Sequence, residues 1–309
     1  MTQRIELLAI VFLAMTLPGT QAIAGCPGGN VTLESQAAVD AFPADCFDLA
    51  GELRIQDTNP TADPIIDVGP LANLESSGAL HLSDLSTLST ASFPALDSVG
   101  VVTLYENAAL DSVDLPSLST SGGFYIDCDA HCRVLTHLGL PSLTSTTSGF
   151  ILKVTAIESL VLPSLTSVGA DFEIFLNQDL SSVAVPFLSS VGGRVIVHSN
   201  YVLTRLELPS LISVGDIFYV QSNPSLSDCC SFSDLLGNLD PQDVYLSGNA
   251  QDCRSIDEIA NACSIVGIPT LGNSALLLLC GLLAVTGLFL VRRQRNPNQE
   301  SEPQRAGEA

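Results

Sequence analysis

The chain has 309 residues, of which 46 % are hydrophobic, 6 % aromatic and only 14 % charged, with no tryptophan. Acidic side chains outnumber basic ones 33 to 11, a net charge of −22. That balance repels phosphate backbones and anionic headgroups and so argues against a nucleic-acid partner, while sparse charge with abundant Ser, Thr and Gly suits short strands and polar turns better than a helical enzyme.

Residues 1–24 read as a signal peptide. Arg4 is the basic start, an apolar run spans 5–17, and Ala22-Ile23-Ala24 gives a small-x-small site before Gly25. Residues 25–50 read as an N-terminal cap. Cys26 and Cys46 flank an amphipathic stretch, 33–42, that reads as a short helix, and a disulfide would staple it.

Residues 51–228 are repetitive. Pro94, Pro116, Pro141, Pro163, Pro186 and Pro209 recur at about 23-residue spacing, mostly within Leu-Pro-Ser-Leu. Six residues after the proline stands Gly100, Gly122, Gly169, Gly192 or Gly215. In the Pro141 coil the glycine is Gly149, two residues late, which reads as an insertion, and Pro70 with Gly78 reads as an earlier copy with the same insertion. Asn107, Asn177, Asn200 and Asn223 set the register, with apolar residues five and three positions before each. Apolar spacing of two or three, without a 3.6 period, predicts short strands separated by corners. Strands after Gly51, Gly78, Gly100, Gly122, Gly149, Gly169, Gly192 and Gly215 give eight coils, and 244–249 a ninth partial one.

The expected fold is therefore all-β: a single-stranded, right-handed parallel β-helix or solenoid of about nine coils, on the order of 40 Å long at ~4.8 Å per strand, with short helical caps. The asparagines are expected to form an inward ladder. The glycines are expected to supply freedom at corners and the prolines to sit where a missing N–H does no harm.

Asp127-Cys128-Asp129-Ala130-His131-Cys132 interrupts the repeat. It reads as a small disulfide loop or, from its ligand types, a cation site. Residues 229–263 read as a C-terminal cap with a helical patch at 255–262, stapled by Cys229, Cys230, Cys253 and Cys263 in a pairing that spacing leaves open. Residues 264–274 read as a linker. The uncharged run 275–291 is long enough, with its flank, to span a bilayer. Arg292, Arg293 and Arg295 then place the tail 292–309 in the cytoplasm, and Cys280 within the run reads as a free thiol.

Three resemblances follow from these residues. Ile23-Ala24-Gly25-Cys26 resembles the lipobox of bacterial lipoproteins, which would acylate Cys26 instead of pairing it. Cys26, the 33–42 stretch, Cys46, Gly51-Glu52-Leu53-Arg54-Ile55, the repeats and Gly248-Asn249 with Cys253 and Cys263 together resemble the receptor L-domain type of leucine-rich β-helix. That implies an extracellular recognition or structural module. Ile268-Pro269-Thr270-Leu271, the apolar span and Arg292-Arg293 resemble the bacterial IPTL C-terminal protein-sorting domain. This implies recognition by an exosortase-type membrane peptidase and a Gram-negative surface protein, tethered to the inner membrane before sorting.

No Gly-x-Ser-x-Gly or His-Glu-x-x-His occurs, and the histidines are only His81, His131, His137 and His198. A polysaccharide lyase on a β-helix would need a basic residue beside a cation site, and Lys153 is the lone lysine. The sequence thus points away from an enzyme and implies no cofactor. A surface protein or glycan is the expected ligand class of a recognition or adhesion module, with a structural surface or matrix component as the alternative. Tyr105, Tyr125, Phe175, Tyr201 and Tyr219 are candidate outward aromatics whose alignment the sequence leaves open.

Overall fold

The computed structural model describes residues 25–58, 60–128 and 134–264. It divides into two units, 1–262 and 263–309, and of the second only 263–264 are described. The signal segment, Ile268-Pro269-Thr270-Leu271, the 275–291 run, the tail with Arg292 and Arg293, and His131 with Cys132 lie outside the described residues. Among the described residues no helix is long and apolar enough to cross a membrane.

The first unit is mostly β, a solenoid of about nine turns with few helices. Its main sheet runs through Val31–Leu33, Asp48–Gln56, Ser76–Ser83, Ser98–Tyr105, Thr120–Asp127, Phe150–Lys153, Phe172–Phe175, Val195–His198, Phe218–Gln221 and Val244–Tyr245. Neighbours along this path are parallel, one coil apart. Two three-stranded sheets form a further side: Thr90–Ser92, Ser112–Asp114 and His137–Gly139, then Ser159–Val161, Ser182–Ala184 and Arg205–Glu207. Strict alternation drives the pairing. Phe172 and Ile174 are buried while Glu173 and Phe175 face out, and the next two coils repeat the pattern. Buried rings pack along the core, Phe124 tilted against Phe150 at 5.4 Å and Phe150 stacked on Phe172 at 5.7 Å.

The asparagines line a buried corner. Each Nδ2 donates to a backbone carbonyl of the preceding coil: Asn177 to Leu152 (3.0 Å), Asn200 to Ile174 (3.0 Å), Asn223 to Val197 (3.0 Å). From Asn200 onward the Oδ1 accepts the main-chain N–H of the previous asparagine, Asn200 from Asn177 (3.0 Å) and Asn223 from Asn200 (3.1 Å). The run extends to Asn249, whose Nδ2 donates to Val220 O (2.7 Å). It is not continuous to Asn107: Thr155 caps the run by donating to Asn177 Oδ1, and Asn107 separately bonds its preceding coil, its Nδ2 donating to Leu82 O and its Oδ1 accepting from Leu85 N–H.

The glycines work differently from the corner freedom expected of them. At Gly100, Gly122, Gly169, Gly192 and Gly215 no left-handed φ occurs. Instead an added Cβ would overlap the carbonyl of the residue stacked one coil earlier, such as Gly78 O beneath Gly100. These positions need an absent side chain, because the coils approach there too closely for one. The left-handed residue is the one before each corner position: Asp84, Glu106, Val154, Leu176, Ser199 and Ser222 have φ from 52° to 60°. Short local turns demand that conformation whatever the side chain.

Two copies are also shifted from the sequence reading. Thr147, not Gly149, occupies the stacked glycine column, since Thr146 pairs with Val168 and Thr147 O lies beneath Gly169. Gly149 pairs with Gly123, and Ser148 is the extra residue between. In the earlier copy Ala72 stands where later coils have proline: Leu74 N–H bonds Leu71 O as Leu96 N–H bonds Phe93 O.

The caps differ in detail. Val31–Leu33 lies inside the segment read as cap and helix, yet it is the first rung, pairing Val31 with Leu53. β-Branched Val31 and Thr32 favour the strand, and the helix is only Gln36–Asp40, N-capped by Ser35. Cys26 is bonded to Cys46 and Cys229 to Cys253, and Cys128, Cys230 and Cys263 are each in a disulfide as well. The C-terminal helix is Ile256–Ser264, preceded by the shorter helix Ser233–Leu236.

Candidate functional site

The outward face of the main sheet collects aromatic side chains that are far apart in sequence. Parallel in-register stacking places outward residues of successive coils in columns. One column contains Tyr105, Asp127, Lys153, Phe175, His198 and Gln221. The adjacent column contains Tyr125, Ile151, Glu173, Ile196, Tyr219 and Tyr245.

Within these columns four rings touch in series. Phe175 and His198 stack 5.0 Å apart and 8° from parallel. His198 meets Tyr219 edge-on at 5.9 Å, and Tyr219 lies 5.9 Å from Tyr245. The track steps from one column to the next between His198 and Tyr219, so it runs obliquely up four consecutive rungs. Lys153 Nζ sits 5.9 Å over the Phe175 ring and is paired with Asp127 at 2.8 Å. Tyr125 extends the aromatic surface, its hydroxyl 2.9 Å from Ser148 Oγ.

Electrostatics at the track are compensated. The Arg194 guanidinium donates to Asp171 (2.6 Å) and Glu173 (3.0 Å), and Arg194 N–H donates to Asp171 Oδ1 (2.8 Å). The Arg194 bond holds the Asp171 carboxyl below the usual carboxylate range, whereas burial pushes Glu173 up. Burial lowers the His198 pKa, so the ring in the stack is neutral at physiological pH. Lys153, Arg194 and Arg54 all project from this face of an otherwise acidic rod.

Four of the five aromatics singled out from sequence, Tyr105, Tyr125, Phe175 and Tyr219, share this face. Tyr201 does not; it follows Asn200 into a turn. His198 and Tyr245 completed the track without being anticipated. Reading every second residue outward from the asparagine register would have found His198, and the partial-coil alignment Tyr245.

A concavity of about 430 Å³ opens where the two three-stranded sheets fail to pair with each other. Asp114, Pro116, His137, Leu140, Pro141 and Val161 line it. His137 Nε2 lies 3.0 Å from Asp114 Oδ1, and Gly139 leaves the room for both. Ser159 also lines it, but its hydroxyl bonds Ser182 Oγ at 2.8 Å, so serine, histidine and carboxylate form no hydrogen-bonded relay there.

The Asp127–Cys132 insertion cannot offer Cys128 as a thiolate ligand, because that cysteine is in a disulfide. Among the described residues no group of three or more His, Cys, Asp or Glu side chains is placed to hold a metal ion. Lys153, the conceivable lyase base, is engaged by Asp127 and Phe175. No protein-family model matches the chain, and no curated protein or solved structure shows significant similarity to it.

Proposed function

We propose that this chain is an exported, non-catalytic rod that acts as a recognition or adhesion module at a cell surface, using the outward face of its main sheet. The observation that carries the reading is the aromatic track from Phe175 to Tyr245. Rings half-buried against one another on the outer side of a sheet, ending at the exposed Tyr245, leave an aromatic surface of the kind enriched at binding interfaces.

The presentation of the rod belongs to the same proposal. Residues 1–24 export it, 275–291 tether it with Arg292 and Arg293 inside, and Ile268-Pro269-Thr270-Leu271 marks it for a sorting peptidase. Disulfides at both caps support the route, since such bonds persist in oxidising compartments. The proline, glycine and asparagine period supports a receptor L-domain-like, leucine-rich and right-handed winding, the hand that parallel crossovers adopt.

A structural surface or matrix role is the second reading. Its support is the number of axial ladders. Beside the asparagines, Ser117, Ser142, Ser164 and Ser210 each donate to the proline carbonyl one coil earlier, which stiffens the rod.

Binding of the full chain to intact cells and extracellular matrix, compared with a Phe175→Ala/Tyr219→Ala variant, tests the first reading. Recognition requires that the variant lose binding while its circular dichroism is unchanged. A variant that binds cells as the parent does, while deletion of the chain weakens the matrix, would support the structural role instead.

A further inference from the structure

The concavity beside His137 stems from a mismatch in coil length. Six residues join Tyr105 to Ser112, Phe175 to Ser182 and His198 to Arg205. Five join Lys153 to Ser159, and nine join Asp127 to His137. Lys153 is held opposite Asp127 in the main sheet, so these two coils leave the asparagine corner out of step. His137–Gly139 and Ser159–Val161 therefore each end their own sheet and face one another across the concavity. Two further links are lost at this level. The asparagine ladder stops at Thr155, Asn107 is bonded to the coil before it, and among the described residues no asparagine amide bridges the two. A void too small for water lies under the same corner, between Leu104, Asn107, Leu110, Cys128 and Leu135, so packing contacts are missing there as well. The rest of the coil is uninterrupted. Phe150–Lys153 pairs residue for residue with Phe124–Asp127. At the proline corner Ser164 Oγ donates to Pro141 O (2.7 Å), and Thr166 N–H to Thr144 O (2.8 Å).

We propose that this level is a hinge: the coils before Thr144 and those after Gly149 are two stiff blocks that flex about the main sheet and the proline corner, and the concavity is the side that opens and closes. Each block keeps its own three-stranded sheet and its own asparagine bonds. In a solenoid each coil touches only its neighbours, so the level with the fewest contacts opens first. Intact pairing along the main sheet keeps the blocks joined, so the motion is a change of angle short of unfolding. Tyr105 and Tyr125 belong to one block, and Phe175, His198, Tyr219 and Tyr245 to the other. Flexing therefore changes the angle between two parts of the outward aromatic surface and lets the rod follow a curved partner. The hinge stands on contacts within the rod, whichever role the rod has: under load, the same level yields first.

Residue-resolved hydrogen exchange on the full chain is the test. Every reporter amide is hydrogen-bonded in the structure, so its rate reads opening and not a missing partner. Ala156 N–H, bonded to Leu135 O at 3.0 Å, crosses the level on the opening side. It should exchange about tenfold or more faster than Ser181 N–H and Thr204 N–H, which link later coils on that side. Phe124 N–H and Thr166 N–H cross the same level on the held sides and should exchange as slowly as Phe172 N–H and Ser189 N–H one coil on. Equal rates at Ala156, Ser181 and Thr204 overturn the hinge. Fast exchange at Phe124 and Thr166 overturns it too, because the level would then be loose all round. Closure is tested with Ser159→His, which sets a second imidazole across the concavity from His137, with Asp114 beside them. Zinc ions should bind this variant more tightly than the parent and slow Ala156 exchange to the rate of Ser181. A variant that binds zinc no better than the parent, or binds it without slowing Ala156, overturns the closing motion. Matching circular dichroism shows that the variant folds; the exchange pattern of the parent decides the hinge by itself.

Discussion

Asn200→Ala is the sharpest test of how the rod is held together. Asn200 is fully buried, and its amide serves two backbone groups in the coil before it. Nδ2 donates to Ile174 O at 3.0 Å, and Oδ1 accepts Asn177 N–H at 3.0 Å. Alanine removes the side-chain partner of both buried groups. Each stranded group costs about 1–3 kcal/mol, and the vacated volume adds to that. Allowing for partial relaxation, the loss should be on the order of 3–5 kcal/mol. That is a large part of the stability of a typical domain. The assay is urea denaturation of the full chain, followed by far-ultraviolet circular dichroism and by tyrosine emission, since the chain has no tryptophan. Coincidence of the two probes checks that the solenoid melts as one unit. Asn200→Asp keeps the acceptor for Asn177 N–H but loses the donor to Ile174 O. It also places a charge in the core, so it should not rescue. Asn238→Ala, at an exposed asparagine whose side chain donates to Asp234 O, is the control and should shift stability by less than about 0.5 kcal/mol. If Asn200→Ala costs no more than Asn238→Ala, the asparagine ladder is not what holds successive coils together.

Gly122→Ala should destabilise by about 1–3 kcal/mol or more, because its Cβ would meet the Gly100 carbonyl; a melting temperature equal to the parent's would show that the coils can spread at no cost. Val154 holds φ at 56°, which is costly for a β-branched residue, so Val154→Asn should stabilise by about 1 kcal/mol in the same denaturation assay, and a destabilised variant would contradict it. His81 and His198 both have pKa values lowered from 6.5 by burial, so their contribution to stability is complete above about pH 6.5 and is lost as pH falls through the lower folded values. Acidification also relieves repulsion among the carboxylates, so the measurement is the difference between parent and His198→Gln: the parent's advantage should shrink from pH 7.5 to 5, and a growing advantage would refute the sign. If the proposed sorting signal is cut, mass spectrometry of the mature C-terminus should find an end near Ile268–Leu271; a protein retaining Arg292 and the whole tail would eliminate processing.

Much of this molecule is written in local sequence because a solenoid repeats one local solution. The Leu-Pro-Ser-Leu spacing, the asparagine register and the two-residue alternation of Val195–His198 specify strands, corners and an inward polar ladder without reference to distant residues. Cysteine placement alone marked the two caps. Three things required the tertiary structure. Which residues stack between coils depends on register: Thr147, six residues after Pro141, takes the glycine column, and the extra residue Ser148 that follows it leaves Gly149 outside that column. Why the repeat needs glycine was decided by the close approach of neighbouring coils, a distance that no local pattern encodes. The aromatic track arises because Phe175, His198, Tyr219 and Tyr245, each ordinary in its own strand, are brought within ring contact by parallel pairing. Sequence periodicity determines what one coil does; only the stacking of coils determines what a face can bind, because that face is made of residues about 23 positions apart.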